Sequence, residues 1–351
     1  MTTALFEVKD GRAIIPPDSL SVFVFADLIR RAEQEALRLY HAGHIAGTVH
    51  TCIGQEVCQL AVARALLPQD HLLSNHRNHG HLLAYSGDFA GFFAEITGRQ
   101  GALCGGRGGS QHMATGNFHS NGVQGGMTAI ADGLALAARL DRSNAIAAVM
   151  LGDGTLGEGL VYEAMNLAAL WCLPVLFTVE NNGISQTTPT HSALAGTMLA
   201  RGEAFGLRTY RFADHNPDFI ENVEYIVNQV RDSRRPCFLV IDTVRLGPHS
   251  KGDDLRPKSE IEALTQVCAL NQLRERLPAH EVDEVEEQNT RFIRATSQEV
   301  LNVRLAGQRL PAPIAPVLHR NAPPDLDSRR SGIASMRSSN RRFKSMRSWC
   351  C

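Results

Sequence analysis

At 351 residues with 44% hydrophobic side chains, the chain is long enough to bury a substantial core, as one large domain or two modest ones. Its 35 basic and 36 acidic residues give a formal net charge of −1, which excludes a general electrostatic attraction to nucleic acid or membranes. Eight cysteines without a CxxC pair, no apolar run of membrane-spanning length and a first segment unlike a signal or transit peptide predict a soluble cytoplasmic protein.

Two helices are predicted in the first part of the chain. Residues 18–42 have a broad apolar face, and Asp18 or Ser19 can cap their start. Residues 54–67 form the second helix, which a proline ends. The later segment 98–126 is too rich in glycine for regular structure, and its histidine and aromatic side chains indicate loops wrapped against a ligand.

Helices and strands alternate in the middle of the chain. In order, the pattern predicts a helix, a strand, a helix and two further strands at residues 127–140, 145–151, 158–172, 174–180 and 237–246. Alternation of this kind predicts an α/β fold built on a parallel sheet.

The end of the chain differs in composition from the rest. Residues 328–351 contain seven Arg or Lys, no acidic residue and many serines. A disordered tail is the favoured interpretation; a basic arm for RNA or another anionic surface is the alternative, and an altered reading frame would look the same. We therefore predict a domain at 1–320 and a basic, Ser/Arg-rich tail at 321–351, with neither nucleic acid nor membrane as a partner.

The turn LGDGTLGEG, which follows the strand at 145–151, sets one carboxylate, Asp153, between two glycines. Glycines at such a turn let the backbone approach a ligand closely, and phosphate is the usual ligand. The next strand ends at Asn181 and Asn182, and a helix of about 22 Å returns the chain to the same edge of the sheet. Both polar side chains are therefore predicted at the carboxyl edge, where α/β folds bind ligands.

A carboxylate that faces a phosphate needs a cation between them. A helix N-terminus offers about half a positive charge, which is too little for a diphosphate, so a divalent ion is the natural addition. Oxygen atoms from Asp153, Asn182 and the backbone carbonyl of Ile184 suit Mg²⁺. The alternative is an ordinary asparagine turn beside a helix cap, but the two features together favour the metal site.

The spacing GDG, 26 residues and NN resembles the thiamine-diphosphate signature. The full run GDGTLGEGLVYEAMNLAALWCLPVLFTVENN resembles the alpha subunit of 2-oxo acid dehydrogenases, the family of the pyruvate, acetoin and branched-chain enzymes. Further motifs fit the same pattern in the same order: HTCIGQE, HRNHGH, GGRGGSQHM, SNGVQGG and RLGPHSKGDD. The resemblance covers roughly residues 20–300. It implies a thiamine-diphosphate-binding α/β fold, the diphosphate-binding domain, with a mostly parallel sheet and helices on both faces.

The resemblance also implies roles for individual residues. Mg²⁺ and thiamine diphosphate are the expected cofactors, with the metal held by Asp153, Asn182 and the carbonyl of Ile184. The further residues expected to bind the cofactor are Arg77, Gly154 and Thr155 at the diphosphate, Gly122 and Gln124 at the aminopyrimidine ring, and also His76 and His249. The expected catalytic residues are His50, near the substrate, and His249, on a loop over the reacting centre.

Four positions depart from the family's common pattern. His76 stands where tyrosine is frequent, Arg107 where lysine is usual, Gln124 where a small apolar residue is common, and Ile184 where tyrosine often occurs. A backbone ligand tolerates the last change. The changes at His76 and Gln124 bear on the choice of substrate more than on the chemistry.

The histidines allow other interpretations. His76, His79 and His81 could ligate zinc by residue type, but Arg77 lies among them and a guanidinium beside a divalent cation is unfavourable. The alternative for His249 is a solvated loop residue; the resemblance favours a hydrogen-bond donor or proton carrier.

The resemblance implies an enzyme that oxidatively decarboxylates a 2-oxo acid, or cleaves acetoin, and passes the acyl unit to a lipoyl group on a partner acyltransferase. The family's activating glutamate comes from a second α/β domain, for which this sequence shows no second sheet. A beta subunit is therefore expected to supply it, in an α2β2 assembly. The alternatives are another thiamine-diphosphate carboligase or transketolase-type subunit, and a non-catalytic scaffold subunit.

Overall fold

The computed structural model describes residues 6–250, 252 and 254–306. In chain order the strands are β1 (Glu7–Lys9), β2 (Arg12–Ile14), β3 (His71–Ser74), β4 (Ala114–Thr115), β5 (Phe118–Ser120), β6 (Ala147–Gly152), β7 (Val175–Asn181), β8 (Ile184–Ser185), β9 (Thr188–Pro189), β10 (Arg208–Ala213) and β11 (Cys237–Asp242).

Helices surround these strands. In chain order they are α1 (Ser19–His41), α2 (Glu56–Ala65), α3 (His79–Ser86), α4 (Phe89–Thr97), α5 (Gly126–Leu140), α6 (Gly159–Leu170), α7 (Thr190–Ala193), α8 (Met198–Glu203), α9 (Phe219–Ser233), α10 (Lys258–Gln266), α11 (Ala269–Arg276) and α12 (Ala279–Asn302). A short 3-10 helix, Asp153–Gly157, joins β6 to α6. Within the ranges given above, no helix is both long and apolar enough to cross a membrane.

A seven-stranded sheet organises the fold, with the order β10-β11-β7-β6-β3-β5-β4. Every neighbouring pair is parallel except β4 with β5. The five adjacent strands β11, β7, β6, β3 and β5 therefore all point their carboxyl ends at the same edge. The predicted α/β fold with a mostly parallel sheet is confirmed.

Apolar residues on both faces of the sheet explain why helices cover each side. In β6, Ala148 and Met150 join one core with α1 to α4 and α9, whereas Val149 and Leu151 join a second core with α5 and α6. The same alternation occurs in β7 and β11. Strands buried on both faces read as continuous apolar runs, which is why these three strands were predictable.

The predicted helices are present with shifted ends. The side chain of Asp18 accepts a hydrogen bond from the amide of Ser21 at 2.9 Å, so Asp18 is the cap of α1. The second helix is shorter than predicted, because Gly54 has φ near +103° before α2 and Leu66 is extended after it. The helix predicted at 158–172 likewise ends at Leu170.

The prediction that segment 98–126 lacks regular structure is wrong in part. Strands β4 and β5 lie within it, and β5 pairs with β3 as a member of the main sheet. Its phenylalanine, Phe118, is fully buried. Pairing with β3 and burial of Phe118 determine this short strand. The sequence around it is rich in glycine and shows no alternation of apolar and polar residues, so the strand was not predicted.

The strand predicted at 237–246 is also shorter than expected. It ends at Asp242, and the residues that follow leave the sheet at its carboxyl edge. The predicted tail at 321–351 lies outside the described residues.

A buried ion pair connects the sheet to α9. Both oxygens of Asp70 accept hydrogen bonds from the guanidinium of Arg231, at 2.9 and 2.7 Å, and both groups are buried. The same carboxylate accepts from the backbone amides of Leu67 and Ile146, at 2.7 and 3.0 Å. The pair therefore fixes the end of the loop before β3 against β6 and α9.

Replacing Asp70 with alanine is expected to lower the free energy of unfolding by about 3–5 kcal/mol, because Arg231 is left as a buried charge without its partner. Chemical denaturation measures the change. The control is Glu287→Ala, which breaks an exposed pair with Arg291 at 3.6 Å and is expected to cost less than about 0.5 kcal/mol. Equal effects of the two substitutions would contradict the prediction.

Candidate active site

A cavity of about 370 Å³ lies at the carboxyl edge of the sheet. All eleven residues that sequence analysis assigned to the site line it: His50, His76, Arg77, Gly122, Gln124, Asp153, Gly154, Thr155, Asn182, Ile184 and His249. Five adjacent strands deliver most of them, because the residues follow the last positions of β3, β5, β6, β7 and β11. Residues far apart in the sequence meet here since parallel strands end at one edge.

Asp153 and Asn182 leave the sheet side by side. Gly152, the last residue of β6, pairs with Glu180 of β7, so the two polar side chains follow within two residues on neighbouring strands. Adjacent strands lie about 4.8 Å apart. The carboxylate and the amide therefore occupy the same end of the sheet and line the same cavity.

Hydrogen bonds orient both groups. Asp153 is 2% exposed, and one of its oxygens accepts from the hydroxyl of Thr190. The Asn182 Oδ1 accepts from the amide of Ile184 at 3.2 Å, and its Nδ2 donates to Gln55 Oε1 at 3.4 Å. Burial raises the pKa of Asp153, because the carboxylate is removed from water. A divalent cation would favour the charged form of this carboxyl.

Arg77 brings positive charge to the cavity. Its side chain is buried, its guanidinium donates to the carbonyl of Thr51, and its Nη2 lies 3.4 Å from the carbonyl oxygen of His249. Its backbone amide donates to Asn75 Oδ1 at 2.7 Å, which fixes the turn after β3. A guanidinium held in this way favours a phosphate or carboxylate ligand.

Three histidine rings meet at the cavity. The ring centroids of His50 and His76 are 4.9 Å apart, those of His50 and His249 are also 4.9 Å apart, and those of His76 and His249 are 5.2 Å apart. Burial lowers the pKa of His76 to about 2, and the neighbouring charge of Arg77 adds to the shift. His76 is therefore a neutral group at physiological pH.

The spacing of these rings would suit a transition metal, since one nitrogen from each lies within 4.8 Å of the others. The guanidinium of Arg77 argues against it, because its Nη2 is 3.5 Å from His249 Nδ1 and would repel a divalent ion. We therefore interpret the three histidines as a ligand-facing wall.

The zinc alternative from the sequence finds no support in the geometry. His79 Nδ1 lies 2.8 Å from a carboxylate oxygen of Glu33, and its Nε2 lies 2.8 Å from the Ser110 hydroxyl. His81 Nδ1 lies 3.0 Å from Ser74 Oγ. These two buried rings therefore make hydrogen bonds within the protein and do not line this cavity, whereas His76 does.

The cavity is thus lined by a carboxylate and an amide at two neighbouring strand ends, by a buried arginine and by three histidines in contact with one another. Comparison with known proteins gives the family, since residues 25–301 match the one described as "Dehydrogenase E1 component". The chain belongs to this family.

Named relatives agree with the family match. The pyruvate dehydrogenase E1 component subunit alpha of Rhizobium meliloti (strain 1021) is 35% identical over 250 residues, which cover 70% of this chain and 72% of the relative. The protein of the same name from Zymomonas mobilis is 37% identical over 243 residues, covering 67% and 68%. The human mitochondrial somatic form is 32% identical over 254 residues, covering 70% and 64%.

The prediction of a thiamine-diphosphate-dependent 2-oxo acid dehydrogenase alpha subunit is therefore confirmed. Membership of the E1 component family implies thiamine diphosphate as cofactor. The polar residues that line the cavity fit that group, because a buried carboxylate, an amide and a buried arginine could together hold a diphosphate and a cation.

Sequence reasoning missed several residues that line the cavity of this E1 component: Gln55, Asn75, Gln111, Gly152, Glu158, Glu180, Ser185, Gln186 and Arg245. Most of them belong to the motifs quoted above, so the sequence indicated that they lie near the cavity. It did not indicate that their side chains face it. Arg245, for example, begins the RLGPHSKGDD run, is 1% exposed and donates to the carbonyl of Gln186 at 3.0 Å.

Glu180 is the least expected of these. It lies in β7, is 1% exposed, and accepts a hydrogen bond from Asn75 Nδ2 at 3.3 Å. Burial raises the pKa of Glu180 to about 7. It lines the cavity from within β7, two residues before Asn182.

Gly154 is fitted closely against the strand that carries Ile184. A Cβ built at Gly154 would lie 2.5 Å from the Ser185 Cβ, a contact that rotation of the serine side chain cannot relieve. Gly154→Ala is therefore expected to displace β8 and weaken thiamine-diphosphate binding by about 10-fold. A fluorescence titration of the cofactor measures this effect.

Gly157 offers a matched control in the same 3-10 helix. A Cβ there would meet nothing within 4 Å, so Gly157→Ala is expected to leave cofactor affinity within about 2-fold of the original protein. Weakening by both substitutions alike would show that close packing at Gly154 is not the cause.

Proposed function

We propose that this alpha subunit provides the metal–diphosphate half of the active site. In this proposal Mg²⁺ is held by the side chains of Asp153 and Asn182 and by the carbonyl of Ile184. The observation that carries it is the meeting of five adjacent parallel strand ends at one cavity lined by these residues. Carboxylate, amide and carbonyl oxygens are the ligands that Mg²⁺ prefers.

The diphosphate and the ring of the cofactor then have separate partners. Arg77, Gly154 and Thr155 surround the diphosphate, because a guanidinium and a close backbone turn complement phosphate oxygens. Gly122 and Gln124 face the aminopyrimidine ring through the turn after β5. The protein's contribution is binding and orientation, while bound thiamine diphosphate supplies the carbon nucleophile and electron sink for decarboxylation.

His50 and His249 face the substrate in this scheme. His50 Nδ1 lies 2.9 Å from Gln111 Nε2, which fixes its ring, and His249 lies against Arg77. An imidazole that is held in place can donate a hydrogen bond to the keto oxygen or carry a proton near it. In the complete reaction CO₂ leaves, the acyl carbon is oxidised, and the lipoyl disulfide is reduced as one of its sulfurs takes the acyl group.

The proposal also covers the partner chains, the first substrate to test and the cellular location. A beta subunit completes the site in an α2β2 assembly, and a lipoyl-bearing acyltransferase accepts the acyl group. Pyruvate is the first substrate to test because the similar proteins are named for it. The cytoplasm is the proposed location, although relatives named as mitochondrial also exist.

The test is an assay of the chain co-expressed with its candidate beta subunit. CO₂ release is measured with pyruvate, branched-chain 2-oxo acids and acetoin, with a lipoylated domain as acceptor. The expected result is turnover of at least one 2-oxo acid that depends on thiamine diphosphate, Mg²⁺ and the lipoyl group.

Other outcomes would overturn this function. Product formation with an aldehyde acceptor and no dependence on lipoyl would indicate a carboligase or transketolase-type enzyme. Cofactor binding without turnover of any 2-oxo acid would indicate a non-catalytic scaffold subunit.

A further inference from the structure

His76 ends a series of hydrogen bonds that starts at the diphosphate side of the cavity. The hydroxyl of Thr155 donates to Gln124 Oε1 at 2.7 Å, and Gln124 Nε2 lies 2.6 Å from His76 Nδ1. His76 and Gln124 are two of the positions at which this chain departs from its family's common pattern. In the structure, they are direct partners.

The direction of the Gln124–His76 bond is set by a third group. Gln124 Nε2 also lies 3.5 Å from the carbonyl oxygen of Gly122, which can only accept. If the amide were turned over, Gln124 Oε1 would face the Gly122 carbonyl oxygen, and that hydrogen bond would be lost. The amide nitrogen therefore faces His76, and His76 Nδ1 accepts its hydrogen.

This bond fixes the tautomer of the histidine. A neutral imidazole that accepts at Nδ1 carries its proton on Nε2. His76 Nε2 is buried and has no hydrogen-bond partner among residues 6–250, 252 and 254–306. A buried donor without an acceptor is costly, so the missing partner belongs to a ligand of the cavity.

The position of the ring indicates which ligand. His76 lies at the far end of the Gln124 amide from Thr155, and its ring packs against His50 and His249. Those two rings are the ones proposed to face the substrate. The ring that carries the donor therefore lies with the two rings proposed to face the substrate.

We propose that His76 is a specificity-determining residue whose Nε2–H donates to an oxygen on the side chain of the 2-oxo acid. The favoured substrates then carry a hydroxyl or carbonyl oxygen beyond the keto group, and purely aliphatic 2-oxo acids are disfavoured. Gln124 acts as the positioning residue that keeps the proton on Nε2. This inference rests on the proposed function.

The kinetic test uses pairs of substrates of equal size. Hydroxypyruvate and 2-oxobutanoate differ by a hydroxyl in place of a methyl group, and 4-hydroxy-2-oxobutanoate and 2-oxopentanoate repeat that difference one carbon further out. The complex with the beta subunit is expected to favour the hydroxylated member of at least one pair by about 10- to 100-fold in kcat/KM.

Two substitutions should remove the preference by different routes. His76→Phe deletes the donor. Gln124→Glu keeps the shape, but its carboxylate accepts a hydrogen bond from Nδ1–H, which leaves Nε2 without hydrogen. Both are expected to bring the ratio within about 3-fold of unity. Gln266→Glu, the same chemical change at an exposed position on α10, is the matched control and should keep the ratio of the original protein.

Nitrogen NMR of histidine-labelled protein gives a readout that does not depend on turnover. The His76 resonances, assigned by their loss in His76→Phe, should show a protonated Nε2 in the original protein and a protonated Nδ1 in Gln124→Glu. A protonated Nδ1 in the original protein would overturn the inference.

The two proposals can fail separately. Turnover of 2-oxo acids without a preference inside either pair overturns the specificity and leaves the enzyme assignment intact. Weaker binding of thiamine diphosphate in His76→Phe, with an unchanged substrate ratio, would show that the donor serves a phosphate oxygen and would also overturn it. Absence of turnover with every 2-oxo acid would refute the proposed function, while the NMR result still decides the tautomer.

Discussion

Replacing Asp153 with alanine is expected to weaken Mg²⁺-dependent binding of thiamine diphosphate by more than about 100-fold, while the protein stays folded. The carboxylate is the only charged ligand in the proposed donor set, so its loss removes most of the attraction for a divalent ion. Its carboxylate accepts a hydrogen bond from the Thr190 hydroxyl and lines the cavity, so the substitution leaves the apolar residues of both cores unchanged. Calorimetric titration of the cofactor at several Mg²⁺ concentrations measures the effect.

Two companion variants make this result specific. Asn182→Ala removes a neutral ligand of the same proposed ion and is expected to weaken binding by about 10- to 100-fold. Asp232→Ala removes an exposed carboxylate on α9, remote from the cavity, and is expected to change nothing measurable. Unchanged Mg²⁺-dependent affinity in Asp153→Ala would refute the metal assignment, provided circular dichroism shows an intact fold.

The central part of the fold could be predicted because its signals are local. Strands β6 and β7 are apolar runs buried on both faces, and glycine and asparagine mark their ends. Since a parallel pair needs a crossover between its strands, the position of Asp153 and Asn182 at the same carboxyl edge followed from the sequence.

The flanking strands of the sheet were harder to find. β3 has four residues and β5 has three, too few to establish a period, and β5 is surrounded by glycines. Their pairing with each other and with β6 makes them strands. Such pairing is a property of the assembled sheet, so no window along the sequence contains it.

The site divides in the same way. Charged and glycine-rich motifs indicated which residues line the cavity, but the orientation of their side chains depends on neighbours from other segments. Burial of Glu180 beneath Asn75, and the Gln124 amide that joins Thr155 to His76, arise only when separate strands come together. Sequence reasoning therefore predicted which residues line one cavity better than it predicted their hydrogen bonds.

The alpha chain alone is expected to decarboxylate 2-oxo acids about 100- to 10,000-fold more slowly than the same chain with its beta subunit. Three carboxylates line the cavity within the described part of the chain: Asp153, Glu158 and Glu180. Asp153 is assigned to the metal, Glu180 is buried within β7, and Glu158 is exposed at the start of α6. In the proposed function the carboxylate that activates the aminopyrimidine ring comes from the beta subunit, and none of these three has that role.

CO₂ release is measured for the alpha chain, the beta chain and the mixture, at saturating thiamine diphosphate and Mg²⁺. The mixture made with Asp153→Ala is the control, since it contains both chains but lacks the proposed metal ligand. A fully active alpha chain would mean that one of its own carboxylates activates the cofactor. Glu158 would then be the group to substitute, because it is the cavity carboxylate that neither the metal nor the core already uses.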